Sequence, residues 1–365
     1  MTRNIIIVGG GIVGAALAYR LAVDGAQTLL LEEGEPAGGV TGKAFAWINA
    51  SGVGAGPGEG AGEGPWGRLR REAIPAWRDV QREVGTALAI DWCGALTWQN
   101  DPEATAAKAE ALKGAGQAVS LLDRRAIAQL EPGLAAPPST AVYAAEEGAL
   151  APLAVTQGLV AAAAEKGAVI RTGQRVEALR TKGGRVTGVQ LQQGWLEADS
   201  VVLAAGLGSV RLCAELGLDL PLEASPSMWL SFDVARPLLR GIVSGPDFEA
   251  RQAGARQLLA AEDFVDSERE TGPAAIAARA EKALIRGLKR SDGLALSGFA
   301  IGQRPMPRDG LPILGGLPGI EGLFLAAMHS GITLAPLAAR ILAAEIMEGH
   351  PLELAQPFRP SRFAE

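Results

Sequence analysis

The residues with the clearest chemical meaning are glycines that follow the first apolar run of the chain. Gly9, Gly11 and Gly14 fit the pattern G-x-G-x-x-G between a predicted strand and a predicted helix. The first glycine permits a tight turn, the second lets a pyrophosphate approach the backbone, and the third lets the helix pack on the strand. Ile12 and Val13 open that helix, whose unpaired amides and positive dipole end suit phosphates. The pattern predicts a dinucleotide site.

An acidic residue in the expected place supports this prediction. Glu32 ends the second apolar run, Thr28 to Leu31, where the acid that binds ribose hydroxyls is expected. Glu32 is preferred over Glu33 because it follows the run directly, and Glu33 stays open as the alternative. The motif alone does not separate FAD from NAD.

Arg304 stands out as a candidate for binding a carboxylate. It precedes Pro305 at the end of an apolar strand, where a charge is costly without a partner. Its planar guanidinium offers a bidentate fork to a carboxylate. A structural ion pair, for example with Asp309, is the alternative. Residues 304–310 themselves are predicted to form a Pro-rich turn that follows the strand.

The bulk composition excludes several classes of protein. The net charge is −6 and no run of Lys or Arg occurs, which argues against a nucleic-acid partner. The cysteines, Cys93 and Cys213, lie far apart in the sequence, so a disulfide framework and a zinc site are not expected. With only His329 and His350 as histidines, a His-rich metal site is excluded as well, and we expect no metal.

The apolar N-terminal stretch, residues 5–18, is not interpreted as a signal peptide because the glycine motif interrupts it. No stretch reaches the ~20 apolar residues that a membrane helix needs. The scarcity of cysteine suits a reducing compartment. We therefore expect a cytoplasmic protein without a transmembrane segment, and a peripheral contact with the inner face of the membrane stays open.

The elements that must position these residues are predicted to alternate between two types along the chain. Continuous apolar strands, such as Ser200 to Ala205, suit a parallel sheet covered on both faces, whereas Leu222 to Ala261 has the texture of an antiparallel sheet. The predicted fold class is α/β, with a Rossmann-type dinucleotide-binding domain interleaved with an α+β substrate domain built on a largely antiparallel sheet. The predicted boundaries are 1–90, 148–220 and 300–365 for the first domain, and 91–147 and 221–299 for the second.

Two further local predictions concern the stretch between these elements. Residues 90–99 are predicted to form one strand. The glycine-rich residues 51–64 are predicted to form a mobile loop, because glycine loses much backbone entropy in regular structure. A lid over a site and a neutral insertion both remain open for this loop.

Several further segments form recognisable motifs together with the opening motif and Glu32. They are Gly38 to Ala50 (GGVTGKAFAWINA), Val201 to Gly206 (VVLAAG), Arg304 to Gly315 (RPMPRDGLPILG) and Gly322 to Pro336 (GLFLAAMHSGITLAP). Through these motifs, and over nearly its full length, the chain resembles the D-amino-acid oxidase and glycine oxidase superfamily of FAD enzymes. The motifs are specific to the superfamily but not to one substrate.

The resemblance implies that the cofactor is FAD and that several segments contact it. It implies contact with the flavin and pyrophosphate by Thr41, Gly42, Lys43 and Ala44, and contact with the adenine by the backbone of Val176. It also implies that the chain passes close to the cofactor at Ala205 and Gly206, and that the flavin pyrimidine meets the amides of Gly331, Ile332 and Thr333. The last of these has an independent basis, because a helix N-terminus stabilises the negative charge that reduced flavin gains.

The resemblance also bears on the mode of FAD binding and on the substrate. Some members carry flavin on a cysteine in the segment equivalent to residues 303–309, and none occurs here, so FAD is expected to be non-covalent. In amino-acid-oxidising relatives the matching arginine holds the substrate carboxylate, which implies this role for Arg304. His329 is expected near the flavin ring, where it either orients substrate or tunes the flavin, or else bonds a backbone group.

We therefore expect an FAD-dependent oxidoreductase that oxidises a small, carboxylate-bearing amino acid or amine. Hydride would pass from the α-carbon to flavin N5, giving an imine that hydrolyses. Two alternatives stay open: a dehydrogenase of a hydroxy acid or other carboxylate, and the flavin subunit of a multi-subunit amino-acid dehydrogenase complex. An electron-acceptor partner or a homo-oligomer is compatible with each. The scarcity of charges in the pocket segments favours a neutral or apolar amino acid.

Overall fold

A computed structural model of the chain describes residues 3–52, 64–85, 88–263 and 272–363. Most of the glycine-rich stretch for which a mobile loop was predicted lies outside the described residues. The α-helices are α1 (Ile12–Val23), α2 (Gly64–Val84), α3 (Pro102–Gly114), α4 (Arg124–Leu130), α5 (Pro152–Glu165), α6 (Gly208–Ala214), α7 (Pro273–Gly287) and α8 (Gly331–Glu348). Among the described residues, no helix is both long enough and apolar enough to cross a membrane.

The strands fall into four sheets. They are β1 (Asn4–Val8), β2 (Gln27–Leu31), β3 (Trp47–Ile48), β4 (Ile90–Asp91), β5 (Ala95–Thr97), β6 (Val119–Asp123), β7 (Thr140–Ala144), β8 (Gly148–Leu150), β9 (Val169–Arg171), β10 (Ala178–Lys182), β11 (Arg185–Leu191), β12 (Gly194–Glu197), β13 (Ser200–Leu203), β14 (Leu222–Asp233), β15 (Ile242–Ser244), β16 (Glu249–Gln252), β17 (Gln257–Asp263), β18 (Ala295–Pro307), β19 (Ile313–Gly316) and β20 (Leu323–Ala327). Two of the sheets have only three strands each, β3-β8-β4 and β10-β11-β12.

A six-stranded sheet carries the dinucleotide motif. Its order is β19-β20-β13-β1-β2-β9, and all pairs are parallel except β19 with β20. The apolar residues of β1 and β13 are buried, as continuous apolar strands covered on both faces should be. Helix α1 packs against α5 and α8, and its many buried residues explain why it is apolar on nearly every side.

The second large sheet has eight strands, in the order β18-β14-β17-β16-β15-β5-β7-β6. Its pairs are antiparallel except β15 with β5, and α7 packs against β17 and β18. Its separate core includes Leu230, Phe232 and Ile276. The two large sheets take their strands from alternating stretches of the chain. The predicted α/β class with an interleaved, largely antiparallel sheet is confirmed, and the exact domain boundaries stay a prediction.

Two local predictions were wrong. Residues 304–307 do not form a turn, because β18 continues through Arg304 to Pro307 opposite β14. Prolines fit there because β18 is an edge strand of this sheet as far as the structure describes the chain. The single strand predicted for residues 90–99 is split into β4 and β5. Gly94 lies between them with φ of +73°, a conformation that ends regular extended structure.

Candidate active site

A cleft of about 1860 Å³ lies at the carboxyl ends of the parallel strands and extends to the wall formed by β14 and β18. All of the predicted site residues line it except Gly14 and Gly42. The predicted residues on its wall are Gly9, Gly11, Ile12, Val13, Glu32, Glu33, Thr41, Lys43, Ala44, Val176, Ala205, Gly206, Arg304, His329, Gly331, Ile332 and Thr333. The fold therefore brings together segments that are far apart in the sequence.

The glycines of the first loop sit where side chains would collide. Gly9 has φ of +110°, and a Cβ there would lie 2.6 Å from the carbonyl oxygen of Ala204. A Cβ on Gly14 would lie 1.9 Å from the carbonyl oxygen of Gly9, which explains why α1 packs closely on β1 at this point. Gly11 lines the cleft itself, and a Cβ there would lie 3.1 Å from the Thr41 hydroxyl oxygen, which is tight for a side chain.

Glu32 is held against this loop by its own carboxylate. Its Oε2 accepts a hydrogen bond from the Gly10 amide at 2.6 Å, and its Oε1 accepts one from the Gly34 amide at 2.8 Å. Glu33 is exposed and lies 3.7 Å from the Arg175 guanidinium. The carboxylate next to the glycine loop is therefore that of Glu32.

The segment after β2 closes over the first turn of α1. The Thr41 hydroxyl accepts a hydrogen bond from the Ile12 amide at 3.2 Å, and Lys43 and Ala44 line the cleft. Gly42 does not line it, because this residue packs on the preceding loop. A Cβ on Gly42 would lie 2.6 Å from the Ala37 carbonyl oxygen. The close approach explains the glycine.

A third segment lies on the opposite side of the glycine loop. The carbonyl oxygen of Val176 accepts a hydrogen bond from the Arg211 guanidinium at 2.7 Å, which fixes the backbone where an adenine contact was implied. Gly206 follows β13 with φ of +55°, a left-handed conformation that lets the chain turn into α6 along the cleft.

The first turn of α8 borders the cleft. Ser330, at its N-cap, makes no capping side-chain hydrogen bond within the described part of the chain, and the positive dipole end of this long helix borders the cleft. The Trp77 indole donates to the carbonyl oxygens of Ile332 and Thr333 at 2.9 and 3.0 Å. The Thr333 hydroxyl donates to the carbonyl oxygen of Trp47 at 3.3 Å, which ties the helix to the segment after β2.

These observations fit a dinucleotide with an attached flavin. The Gly11 backbone and the start of α1 line the cleft, where unpaired amides suit phosphates, and Glu32 lies beside this loop. The N-terminus of α8 lies at the same cleft and favours negative charge on a ring system. Among the described residues no cluster of His, Cys, Asp or Glu could hold a metal ion.

The candidate catalytic residues line the other part of the cleft. Arg304 lies directly opposite Ser225 on β14; its Nη2 donates to the Ser225 hydroxyl at 2.8 Å and its Nε to the Ser225 carbonyl at 3.2 Å. Asp309, the alternative partner considered from the sequence, binds Arg362 at 2.7 Å. The Nδ1 atom of His329 lies 3.4 Å from the Ser330 hydroxyl, and the imidazole is exposed.

Sequence reasoning missed Arg70, a buried arginine on the wall of the cleft. A signal for it exists. Trp66, Leu69, Ala73 and Trp77 form the buried stripe of the amphipathic helix α2, and Arg70 is a charged residue at one of the buried positions. An arginine on an apolar helical stripe is rare enough to be noted from the sequence alone.

Comparison with known proteins gives one family match. Residues 4–345 match the family described as DAO, FAD dependent oxidoreductase. A glycine oxidase of Pseudomonas putida is 27% identical, with 99% of each chain covered. A subunit of the opine oxidase of Rhizobium meliloti is also 27% identical, over 99% of this chain and 97% of that protein. The fold matches the crystal structure of glycine oxidase from Geobacillus kaustophilus with a TM-score of 0.86, at 23% identity and full coverage of both chains.

Proposed function

The chain belongs to the family of FAD dependent oxidoreductases, and from this premise we propose that it oxidises a small amino acid or related amine. When bound, FAD supplies N5 as the acceptor for the hydride that leaves the substrate α-carbon. The substrate becomes an imine, which water hydrolyses. The protein is an oxidoreductase whose own side chains orient the substrate and set the electrostatics of the cleft.

The observation that carries this proposal is the position of Arg304. Its guanidinium is held by Ser225 on the neighbouring strand and lines the same cleft as the first turn of α8. Its Nε and Nη2 atoms donate to Ser225 and to the Pro226 carbonyl, which hold the guanidinium in place, and a positive charge fixed in this way is preorganised to attract a carboxylate. In our proposal Arg304 binds the substrate carboxylate and thereby presents the α-carbon toward the position of the flavin. His329 contributes to substrate orientation from the turn before α8.

The binding of FAD follows the segments described above. Gly9, Gly11, Ile12 and Val13 surround the pyrophosphate, Glu32 the ribose, and Val176 the adenine. Thr41, Lys43 and Ala44 bind the pyrophosphate and flavin, Ala205 and Gly206 pass close to the cofactor, and Gly331, Ile332 and Thr333 present amides to the pyrimidine. Gly14 and Gly42 support this site through backbone packing. FAD is bound without a covalent link in this proposal.

The experiment that tests the role of Arg304 is anaerobic flavin reduction with a matched pair of substrates. N-ethylglycine and N-ethylmethylamine differ by one carboxylate, and both are achiral. Arg304→Ala should lower the efficiency with N-ethylglycine roughly 30- to 4000-fold, because losing one partner of a desolvated charge pair costs about 2–5 kcal/mol. The amine should be affected much less. Arg304→Lys should recover only part of the loss, since an ammonium has no bidentate fork.

A nearby control separates binding from general disturbance. Arg308 is exposed, also lines the cleft and lies 3.7 Å from Glu223. Arg308→Ala should leave both members of the pair nearly unchanged. Equal losses on the amino acid and the amine in Arg304→Ala would make Arg304 structural and remove the main support for an amino-acid substrate. Flavin that stays oxidised with a broad panel of amino acids, amines and hydroxy acids would contradict the proposed activity itself.

A second candidate role is that of a flavin subunit in a larger complex. One of the similar proteins is named as a subunit of an opine oxidase, which favours this alternative. Oxygen consumption by the purified chain distinguishes the two roles. A free oxidase turns over with oxygen alone, whereas a subunit reduced by substrate waits for an added electron acceptor. Binding of an electron-acceptor partner, assembly into a homo-oligomer and peripheral contact with a membrane surface stay open possibilities from the sequence.

A further inference from the structure

Arg70, a buried arginine on the wall of the cleft, has no role in the proposed function described above. Arg70, on α2, is only 7% exposed and lines the cleft together with Trp66, whose ring centroid lies 5.4 Å from its guanidinium carbon. An aromatic face at this distance attracts the guanidinium and helps to hold it in place. Burial lowers the pKa of Arg70 to about 10, so the group stays charged at neutral pH.

The described residues offer the Arg70 guanidinium few polar partners. Among the described residues Arg70 forms no ion pair, and its one hydrogen bond, from Nε to the Asn49 carbonyl, is long at 3.4 Å. A guanidinium has five N–H donors, and a buried charge is costly unless it is paired. Most of its capacity is therefore unused by the described residues.

The buried carboxylate in this region is committed elsewhere. Glu147 attracts Arg70 electrostatically. Its Oε1 accepts from the amides of Ala50 and Ser51 at 2.7 and 2.6 Å, and its Oε2 accepts from the Trp47 indole at 2.9 Å. Glu147 thus organises the backbone beside the cleft.

The side chain of Asn49 lies beside Arg70. The Asn49 Oδ1 atom is buried and makes no hydrogen bond within the described part of the chain. A Cβ on Gly52 would lie 2.7 Å from this atom and 3.0 Å from Arg70 Nη2, so glycine keeps the space between them open. Arg70 is therefore the group at this part of the cleft wall that can bind an anion, because a guanidinium donates hydrogen bonds to a carboxylate whereas an amide oxygen only accepts them.

We infer that Arg70 forms a specificity site for a second anionic group of the substrate, in the space that Gly52 leaves open, so that the preferred substrates are amino acids with two carboxylates. This inference rests on the proposed function, in which Arg304 holds the carboxylate next to the reacting carbon. N-carboxyalkyl amino acids and amino acids with an acidic side chain both have the required chemistry. The sequence-based preference for a neutral substrate drew on segments that do not include α2, and Arg70 overrides it.

Binding of non-reactive acids tests the site apart from the oxidation. Glutarate and pentanoate have the same chain length and differ only in the second carboxylate. Perturbation of the flavin absorption band of the holoenzyme gives the Kd of each acid. The wild type should bind glutarate more tightly than pentanoate. Arg70→Met should weaken glutarate about 30-fold or more, as expected for loss of one partner of a buried charge pair, and pentanoate only slightly.

Turnover gives the matching substrate pair. Iminodiacetate and N-ethylglycine again differ by one carboxylate, and anaerobic flavin reduction measures both. Arg70→Met should raise the concentration of iminodiacetate that half-saturates reduction, with a much smaller effect on N-ethylglycine. Arg70→Lys should recover part of the loss because it keeps the charge. Arg304→Ala should instead impair both substrates, since both carry the first carboxylate.

Each outcome decides the inference. Wild-type protein that binds glutarate no tighter than pentanoate overturns it, as do equal losses on both acids in Arg70→Met. A rise in the Kd of FAD in Arg70→Lys or Arg70→Met would assign Arg70 to the cofactor instead. If Arg70→Met does not fold and Arg70→Lys binds both acids as the wild type does, Arg70 is structural. Selective glutarate binding without reduction by any amine would leave the site in place and contradict only the proposed oxidation.

Discussion

The Arg251 guanidinium donates a hydrogen bond of 2.7 Å to the carbonyl oxygen of Phe45, and this bond joins the eight-stranded sheet to the segment that is expected to line the flavin. A second hydrogen bond of 3.1 Å runs from Arg251 to the carbonyl oxygen of Leu150. Arg251 is 5% exposed, and burial lowers its pKa to about 10, so a buried charge on β16 connects the eight-stranded sheet to the segment before β3 and to β8.

Arg251→Met should therefore lower stability and FAD affinity together. The substitution leaves two carbonyl groups without their donor, at about 1–3 kcal/mol for each that remains buried. The segment around Phe45 also loses its support, so the Kd of FAD should rise. Urea unfolding and titration of the apoprotein with FAD measure the two effects, with the exposed Arg236 changed to Met as the control. Unchanged Kd and unchanged unfolding would contradict the role of Arg251.

The sequence could predict the parts of the site whose geometry is local. The turn from β1 into α1 is determined by neighbouring glycines, because a Cβ on Gly14 would collide with the carbonyl of Gly9 five residues earlier. Glu32 follows from the next strand, which pairs with β1 in register. Such short-range relations leave a pattern in the chain that can be recognised without the fold.

Relations that depend on strand pairing and on tertiary packing could not be predicted. Arg304 was placed in a turn because Pro305 and Pro307 follow the turn pattern, but pairing with Ser225, far away in the sequence, extends β18 through them. Similarly, the hydrogen bonds of Arg251 to Phe45 and Leu150 join residues that only the assembled fold brings together. Arg70 shows its charge in the sequence, but its position at the cleft follows only from the packing of α2.

Substitution of the two adjacent acids should separate their roles. Glu32→Ala removes a carboxylate that the Gly10 and Gly34 amides hold beside the glycine loop. The binding free energy of FAD should weaken by about 1.5–3 kcal/mol for each charge-assisted hydrogen bond from the ribose hydroxyls that is lost. Glu33→Ala removes only an exposed acid near Arg175, and such pairs contribute about 0–1 kcal/mol. FAD titration of both apoproteins decides. A larger loss in Glu33→Ala would transfer the ribose contact to Glu33.

Acid precipitation should release the flavin into a yellow supernatant, identified as FAD by chromatography. No cysteine lies in residues 303–309. Burial raises the pKa of Cys93 to about 11 and of Cys213 to about 12, so neither thiol is a reactive thiolate at neutral pH. Neither cysteine lines the cleft. Flavin that remains with the pellet would contradict non-covalent binding, and FMN in the supernatant would contradict the dinucleotide site.

The buried carboxyl of Glu147 should make stability depend on pH in a defined direction. Burial raises its pKa above the ordinary value of 4.5, against the opposing effect of its hydrogen bonds from Ser51 and Ala50. The folded protein therefore holds this proton more tightly than the unfolded chain. The stability from this linkage is fully present below the unfolded pKa and is lost as pH rises through the folded pKa.

Comparison with Glu147→Gln isolates this contribution. The amide does not titrate, so the free energy of unfolding of the wild type minus that of the variant should fall as pH rises from about 4, and level off above the folded pKa of Glu147. Throughout the range the variant should be less stable, because an amide nitrogen replaces one of the two oxygens that accept the Trp47 indole and the Ala50 and Ser51 amides. Leaving such a donor unsatisfied costs about 1–3 kcal/mol. Urea unfolding of the FAD-saturated proteins measures the difference, with the exposed neighbour Glu146→Gln as the control. A difference that rises with pH would mean that Arg70 and the backbone amides outweigh burial and keep Glu147 ionised below its ordinary range.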